Sequence, residues 1–176
     1  MKISPEYLAM NRELHARGGY GVSGSKYVVP VMQIAQLLNT RDILDYGCGQ
    51  RTLEQALGFP IRNYDPAIPG LDTPPEPADL VVCTDVLEHI EPDCLNDVLD
   101  DLQRLTKQAA FFVIANRAAK KILPDGRNAH LIQEDAEWWR PRLAVRFTIH
   151  QVGGQHNEHF WVLRKRQSPF GSFPVY

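Results

Sequence analysis

Short apolar runs recur along the chain and are separated by amphipathic or glycine-rich segments. Four of these runs have the length of a buried strand: "DILDYG" from Asp42, "IRNYD" from Ile61, "DLVVCTDV" from Asp79 and "AAFFVIAN" from Ala109. Near the C-terminus, "AVRFTIHQV" and "HFWVLRKR" alternate apolar and polar residues on either side of Gly153-Gly154. This alternation predicts an antiparallel strand pair that closes the sheet, with the two glycines between its strands.

Helical periodicity fills most of the intervals between the strands. We expect helices from about Pro5 to Arg17, from Pro30, over "TLEQALG" from Thr52, after Glu91-Pro92-Asp93, and near Glu134 to Arg140. Two of them show a clear apolar face at helical spacing. These faces comprise Val31, Ile34, Ala35 and Leu38 in the second helix, and Leu95, Val98, Leu99, Leu102 and Leu105 in the fourth. The order of elements predicts an α/β fold with an antiparallel finish.

Composition is that of an ordinary soluble domain. The 176 residues are 44% hydrophobic and 23% charged, and no apolar run approaches the roughly 20 residues of a membrane span. We expect one domain over 1–176, with N-terminal helices and a lid loop in 1–40, a core in 41–166 and a tail in 167–176. Three cysteines without a CxxC pair and a polar N-terminus favour a cytoplasmic protein with reduced thiols. A net charge of −2 argues mildly against a duplex-DNA binder.

Gly47 and Gly49 follow the first predicted strand, and Asp65 ends the second. Glycines at a strand end let the backbone approach a ligand, and a carboxylate at the neighbouring strand end can accept hydrogen bonds from a ribose diol. The spacing therefore predicts a nucleoside-bearing cofactor. A binding site for a dinucleotide such as NAD or FAD usually has a third glycine at the position of Thr52. The threonine therefore argues against a dinucleotide cofactor. The alternative is that the glycines only form a turn and Asp65 is a surface carboxylate.

Three motifs in order resemble the class I S-adenosylmethionine-dependent methyltransferases. They are "LDYGCG" from Leu44, the acid Asp65, and the Leu87-Glu88-His89 run after the "DLVVC" strand. The resemblance implies a Rossmann-like, open, mostly parallel sheet with a reversed C-terminal hairpin. The chain departs from the family between Asp65 and Asp79, where the segment is short and proline-rich. We therefore expect the sheet to lack the family's usual third strand.

When the family's motif positions are matched to this sequence, the resemblance implies which residues contact the cofactor. The Gly47-Cys48-Gly49 backbone approaches the methionine portion, and Asp45 orients that turn or reaches the amino group through water. Asp65 holds the ribose hydroxyls, while Asp85 and Val86 lie beside the methionine moiety. Pro66, Ala67, Ile68 and Leu71 replace the adenine wall of the missing strand. From position alone, Lys26 and Tyr20 of the early glycine loop close over the carboxylate end.

The loop after the fourth apolar run, Arg117 to His130, is expected to border the acceptor. It and its neighbour Asn116 offer basic and hydrogen-bonding groups suited to phosphate, carboxylate or sugar, although a solvated surface loop is an equal alternative. We expect Asn116, Arg127 and Asn128 to bind the acceptor, His130 to act as the general base and His89 to support the site. Trp138 is a candidate aromatic wall for a planar acceptor. The alternative is that one residue of Trp138-Trp139 belongs to the core and the other covers the edge of a helix.

The remaining motifs limit the classes of molecule to which the acceptor can belong. His156-x-x-His159 has metal-like spacing without partner ligands, so hairpin turn residues are the better interpretation and no metal is assigned. The Asp-Pro-Pro-Tyr and Pro-Cys motifs of DNA methyltransferases are missing, which favours a small polar or anionic molecule. Two alternatives stay open: a nucleotide or nucleic-acid methyltransferase, supported by the basic loop, and a cofactor-binding subunit without activity. The oligomeric state is open.

Overall fold

The computed structural model describes residues 1–18, 21–155 and 157–166, and every structural statement below concerns these residues. Tyr20, His156 and the tail 167–176, which figure in the sequence predictions, lie outside them. The strands are β1 (Ile43–Tyr46), β2 (Arg62–Tyr64), β3 (Ala78–Thr84), β4 (Thr106–Ala115), β5 (Phe147–Gln155) and β6 (Glu158–Lys165). The helices are α1 (Pro5–Ala16), α2 (Val28–Leu38), α3 (Thr52–Leu57), α4 (Leu95–Leu105) and α5 (Ala136–Ala144).

The strands form one sheet in the order β2-β1-β3-β4-β6-β5. The pairs among β2, β1, β3 and β4 are parallel, and β6 lies antiparallel between β4 and β5. The sheet is therefore mostly parallel with an antiparallel C-terminal pair. This confirms the fold class predicted from the sequence. Parallel strands place their carboxyl ends at one edge, where β1, β2 and β3 deliver the predicted cofactor residues.

The segment between β2 and β3 contains turns and no strand. Its five prolines, between Pro66 and Pro77, cannot donate to a strand ladder, which is the physical reason it cannot extend the sheet beyond β2. β2 is accordingly the edge strand, and the sheet has six strands. The expected loss of the third strand is confirmed.

Both faces of the sheet are packed. On one face, α4 and α5 bury side chains such as Leu99 and Trp139 against Phe112 of β4. On the other, α2 and α3 place Val31 and Leu53 against Leu80 of β3. All five residues of the apolar face predicted for α4 are buried, because a helix with one apolar stripe is stable only when that stripe covers the sheet.

Three boundaries differ from the sequence prediction. Helix α2 begins at Val28, so Pro30 stands inside its first turn instead of opening it. Helix α5 begins at Ala136, after Asp135 caps the Trp138 backbone N–H, and it continues to Ala144. These shifts are small, and the faces that pack on the sheet are unchanged. Among the described residues, no helix is both long and apolar enough to span a membrane.

Gly153 and Gly154 lie inside β5 and pair with Phe160 and His159 of β6, so the prediction that they lie between the two strands is wrong. A Cβ at Gly153 would stand 2.5 Å from the Phe160 ring, which explains the need for glycine within a strand. His159, predicted as a turn residue, is likewise a strand residue of β6.

Candidate active site

The turn after β1 brings the chain back across the end of β2. The backbone N–H groups of Gly47 and Cys48 both donate to the carbonyl oxygen of Tyr64, at 2.7 and 3.0 Å. Gly47 has φ +77°, and a Cβ there would lie 2.4 Å from Val86; Gly49 has φ +49°, and its Cβ would lie 2.4 Å from the Gly21 carbonyl oxygen. Glycine is required at both positions by backbone conformation and by close approach of neighbouring residues.

Asp65 stands directly below this turn. One carboxylate oxygen accepts from the Gly49 backbone N–H at 3.2 Å, and the other accepts from Ala67 at 2.9 Å. Nε2 of His15, from α1, lies 3.8 Å from the first oxygen. The residue as a whole is only 6% exposed. Asp65 therefore ties β2 to the glycine turn, and the interpretation of Asp65 as a surface carboxylate does not fit its burial.

Asp45 lies in β1, buried beneath the same turn. Burial, together with the nearby carboxylates of Asp65 and Glu54, raises its pKa to about 7. Low-dielectric surroundings disfavour the ionised form, and like charges add to that effect. Asp45 therefore retains its proton at a pH where an ordinary aspartate has lost it.

The Asp45→Asn variant is expected to be more stable than the wild type at about pH 8, by an amount that shrinks toward pH 4. Between the ordinary value of 3.8 and about 7, the folded state holds a proton that the unfolded chain has released, so the free energy of unfolding falls as pH rises. Asparagine keeps the shape without the charge. Urea unfolding of both proteins at the two pH values measures the difference, and an equal difference at both would contradict the raised pKa.

The segment after β3 supplies a second group of polar side chains. Asp85 adopts φ +60° and accepts a hydrogen bond from the Ser23 hydroxyl at 2.7 Å. Glu88 is wholly buried, and one of its oxygens accepts from the Ala115 backbone N–H at 2.8 Å. Burial, followed by the Asp85 carboxylate, raises the pKa of Glu88 well above its ordinary value.

His89 and His130 meet edge to face, with ring centroids 4.7 Å apart. Nδ1 of His89 lies 2.7 Å from the Ala129 carbonyl oxygen, and Nδ1 of His130 lies 2.6 Å from that of Arg117. Because a carbonyl oxygen only accepts, each Nδ1 carries the proton and Nε2 carries the lone pair of a neutral ring. Burial and the neighbouring His130 lower the pKa of His89 to about 4, so its ring is neutral at physiological pH.

Helix α1 closes the site from above. The Tyr7 hydroxyl donates to the His89 carbonyl oxygen at 2.8 Å, and Ser4 donates to Glu91 through both its backbone N–H and its hydroxyl. Tyr7 and Leu14 also pack against Leu123 of the loop after β4. The helix therefore rests on both strand-end segments, and it encloses the space between them.

The cavity between these segments has a volume of about 510 Å³. Ten residues predicted for the site line it: Lys26, Gly47, Gly49, Asp65, Pro66, Ala67, Asp85, Val86, His89 and His130. Arg117, Lys120 and Lys121 line it too. The structure thus brings the predicted cofactor residues and a cationic rim into one space of the size that small ligands occupy.

The sequence analysis missed the contribution of α1. Tyr7, Asn11 and His15 line the cavity, and nothing in their spacing distinguishes them from core residues of an amphipathic helix. Ser23 was missed as well, although it lies in the glycine-rich loop already singled out. Asp45 and Cys48 do not line the cavity: both are buried under the turn. Burial also raises the pKa of the Cys48 thiol, which keeps it protonated.

Four residues predicted for acceptor binding do not line this cavity. Arg127 pairs with Asp125 and stacks over the Tyr7 ring. The Asn128 side chain bonds the backbone of Ala119 and of His130, so it braces the loop. The polar groups of Arg127 and Asn128 are thus engaged elsewhere, and the cations of this loop that line the cavity are Arg117, Lys120 and Lys121.

Asn116 and Trp138 lie away from the cavity for different reasons. Nδ2 of Asn116 lies 3.1 Å from Nε2 of His159, toward β6. Trp138 packs beside the core, with the Arg142 guanidinium 3.4 Å from its ring centre, while Trp139 is fully buried. The pair matches the alternative of one core residue and one helix-edge cover.

A second cavity of about 690 Å³ adjoins the first, sharing His15, Gly49 and Ala67 with it. Ile68 and Leu71, which were expected to replace the adenine wall, line this second space together with Gln50 and Arg51. The two cavities therefore lie on either side of the glycine turn and Asp65.

Comparison with solved structures agrees with this architecture. The protein is similar to DhpI in its complex with S-adenosylhomocysteine, with a TM-score of 0.60, 16% identity, and coverage of 90% of this chain and 94% of that one. It is also similar to 1,6-didemethyltoxoflavin-N1-methyltransferase of Burkholderia thailandensis, with a TM-score of 0.61, 16% identity, and coverage of 92% and 90%. A third is magnesium protoporphyrin IX methyltransferase of Synechocystis PCC 6803, with a TM-score of 0.60, 15% identity, and coverage of 82% and 84%. At such identities the likeness concerns the fold.

No curated protein matches the sequence significantly. A family model described as a methyltransferase domain matches residues 25–165, which span β1 to β6 and every strand-end residue of the site. The match covers most of the chain. The protein therefore belongs to the methyltransferase-domain family, as its resemblance to class I S-adenosylmethionine-dependent methyltransferases implied.

Proposed function

We propose that the protein binds S-adenosylmethionine and transfers its methyl group to a small polar or anionic acceptor. The observation that carries this proposal is the single cavity that joins Gly47, Gly49 and Asp65 to the cationic rim and His130. A transferase needs the donor and the acceptor in adjoining spaces, because methyl transfer is an in-line displacement whose rate depends on alignment.

The residues present fit the donor. The glycines at 47 and 49 leave the backbone uncovered where the methionine portion would lie, and Asp85, Val86 and Lys26 line the same space. Each of the two carboxylate oxygens of Asp65 can accept a hydrogen bond from a ribose hydroxyl. Ala67, Ile68 and Leu71 in the second cavity supply an apolar surface for adenine. When bound, S-adenosylmethionine supplies a methyl group on a positively charged sulfur.

The acceptor side is cationic and contains a base. Arg117, Lys120 and Lys121 favour an acceptor with phosphate or carboxylate groups. His130 is the residue that we propose to take the acceptor's proton: its Nδ1 is held by the Arg117 carbonyl, which leaves Nε2 to accept. His89 supports the ring of His130 by edge-to-face contact.

A small acceptor is favoured over a nucleic acid. The similar structures include enzymes named for small molecules, 1,6-didemethyltoxoflavin and magnesium protoporphyrin IX. Helix α1 also lines the cavity, through Tyr7, Asn11 and His15, and so limits the space beside the proposed acceptor position. A non-catalytic subunit is the weaker alternative, because nothing about such a role requires cations and a histidine beside the donor.

S-adenosylhomocysteine and S-adenosylmethionine are expected to raise the melting temperature, and NAD is expected to leave it unchanged. A ligand that binds only the folded state stabilises by mass action, by about 2.7 kcal/mol at a hundredfold excess over its dissociation constant. Differential scanning fluorimetry measures the shift. Stabilisation by NAD without any by S-adenosylhomocysteine would overturn the cofactor assignment.

A screen with methyl-labelled cofactor tests the transfer itself. Pools of phosphorylated, carboxylated, sugar, nucleotide and nucleic-acid acceptors separate the small-molecule proposal from its alternatives. Label in an anionic metabolite supports the proposal, and label confined to nucleic acid contradicts it. Cofactor binding without labelling of any pool, and without release of S-adenosylhomocysteine, would support the non-catalytic role.

A further inference from the structure

Four potential metal ligands converge at the acceptor end of the cavity. Asp85, Glu88 and His89 come from the segment after β3, and His130 comes from the end of the loop after β4. Each offers one ligand atom, and these atoms all lie within 4.8 Å of one another. The set combines two carboxylates with two imidazoles, and three of its members line the cavity. The group therefore faces the space assigned to the acceptor.

Glu88 has a buried oxygen that faces the Asp85 carboxyl group and receives no hydrogen bond from any other described residue. The side chain is wholly buried and Oε1 accepts from Ala115, but Oε2 has no hydrogen-bond partner among the described residues. The Asp85 carboxylate lies beside it. Two ionised carboxylates cannot bond to each other, so the pair requires a proton or a cation between them.

Both histidine rings are oriented as metal ligands usually are. Backbone carbonyls of Ala129 and Arg117 hold the two Nδ1–H groups, so the lone pair of each neutral ring is on Nε2. Metal-binding histidines characteristically donate their other N–H to a carbonyl or carboxylate, which sets the tautomer and the ring plane. The two rings are nearly perpendicular, at 87°.

We propose that Asp85, Glu88, His89 and His130 bind one divalent first-row cation, Mn²⁺ or Zn²⁺, at the acceptor end of the cavity. Two carboxylates balance the charge of such an ion, and two imidazoles favour it over Mg²⁺ or Ca²⁺. No metal was assigned from the sequence, because His130 is 41 residues beyond His89 and only the fold brings it to the Asp85-x-x-Glu88-His89 run.

The cation also indicates the chemical class of the acceptor, an inference that rests on the proposed function. An acceptor hydroxyl bound to the ion has a lowered pKa, so its proton passes to water. The oxygen then bonds to the methyl carbon, and the carbon–sulfur bond breaks with its electron pair left on sulfur. In this metal-bound state the lone pair of His130 Nε2 holds the ion, so water takes the proton that His130 accepts in the metal-free protein. An oxygen acceptor that also carries an anionic group suits both the ion and the cationic rim.

Titration of chelator-treated, full-length protein with MnCl₂ and with ZnCl₂ tests the site without any acceptor. Isothermal titration is expected to give one ion per chain, with a raised melting temperature. Glu88→Gln and His130→Ala are expected to weaken binding at least tenfold. Glutamine still accepts from Ala115, which favours folding of that variant, and thermal unfolding checks both. The control His150→Ala removes an exposed histidine of β5 and is expected to bind like the wild type.

A wild-type protein that binds neither ion with this stoichiometry would overturn the proposal. So would folded Glu88→Gln and His130→Ala variants that retain wild-type affinity, or a loss of binding in His150→Ala alone. S-adenosylhomocysteine binding is measured on the same metal-free samples. If the cofactor binds and the ions do not, the metal site fails while the proposed function stands; the reverse result leaves the site and removes the function.

Discussion

Replacing Asp65 by alanine is expected to weaken S-adenosylhomocysteine binding by tenfold or more. The carboxylate is the charged acceptor proposed for the ribose hydroxyls, and hydrogen bonds to charged groups contribute roughly 1.5–3 kcal/mol. It also holds the Gly49 and Ala67 backbone N–H groups, so part of the loss arises from a looser turn. Isothermal titration at neutral pH measures the dissociation constant.

Two further variants separate these contributions. Asp65→Asn keeps the size and one acceptor oxygen but removes the charge, so it is expected to fall between wild type and alanine. Asp72→Ala removes an exposed aspartate of the same connection, whose carboxylate accepts from the nearby Gly70 N–H and lies 3.9 Å from Arg12. It is expected to bind normally. An unchanged dissociation constant in folded Asp65→Ala would show that Asp65 has a purely structural role.

Gly49→Ala is expected to destabilise the protein by roughly 2–5 kcal/mol and to abolish measurable cofactor binding. At φ +49° an alanine carries the cost of a left-handed residue, about 1–2 kcal/mol. Its Cβ would also stand 2.4 Å from the Gly21 carbonyl oxygen, which is backbone and cannot rotate away. The loop before α2 must therefore shift, and the bond from Gln50 N–H to Gly21 is strained or lost. Urea unfolding gives the stability change.

Gly58→Ala is the matched control. Gly58 has a comparable φ of +72°, but a Cβ there meets nothing within 4 Å. It is expected to cost only the conformational energy, about 1–2 kcal/mol, and to leave cofactor binding intact. Equal destabilisation by the two substitutions would show that the contact between Gly49 and Gly21 contributes nothing.

The sequence alone determined the sheet, and it predicted which strand-end residues meet beside the glycine turn. Strand β3 is apolar throughout, and α4 has one apolar stripe; both patterns are local, so each can be read without knowing its partner. The same holds for Gly47-x-Gly49 and Asp65, since the carboxyl ends of neighbouring parallel strands must share one edge. Local signals also predicted the missing strand, because proline cannot donate to a ladder wherever it lies. The position of Gly153 within β5 was mispredicted for the converse reason. Glycine is required there by the Phe160 ring, which lies on the neighbouring strand.

Only the tertiary structure decided which side chains of the loop after β4 face the cavity. Arg127 and Lys120 are equivalent in a list of cations, but Arg127 pairs with Asp125 and stacks on Tyr7, while Lys120 lines the cavity. The roof formed by α1 and the meeting of His130 with Asp85, Glu88 and His89 were likewise decided there. The physical reason is common to all three. Each depends on where a distant segment packs, and the long-range contacts that set this leave no periodicity in the residues that make them.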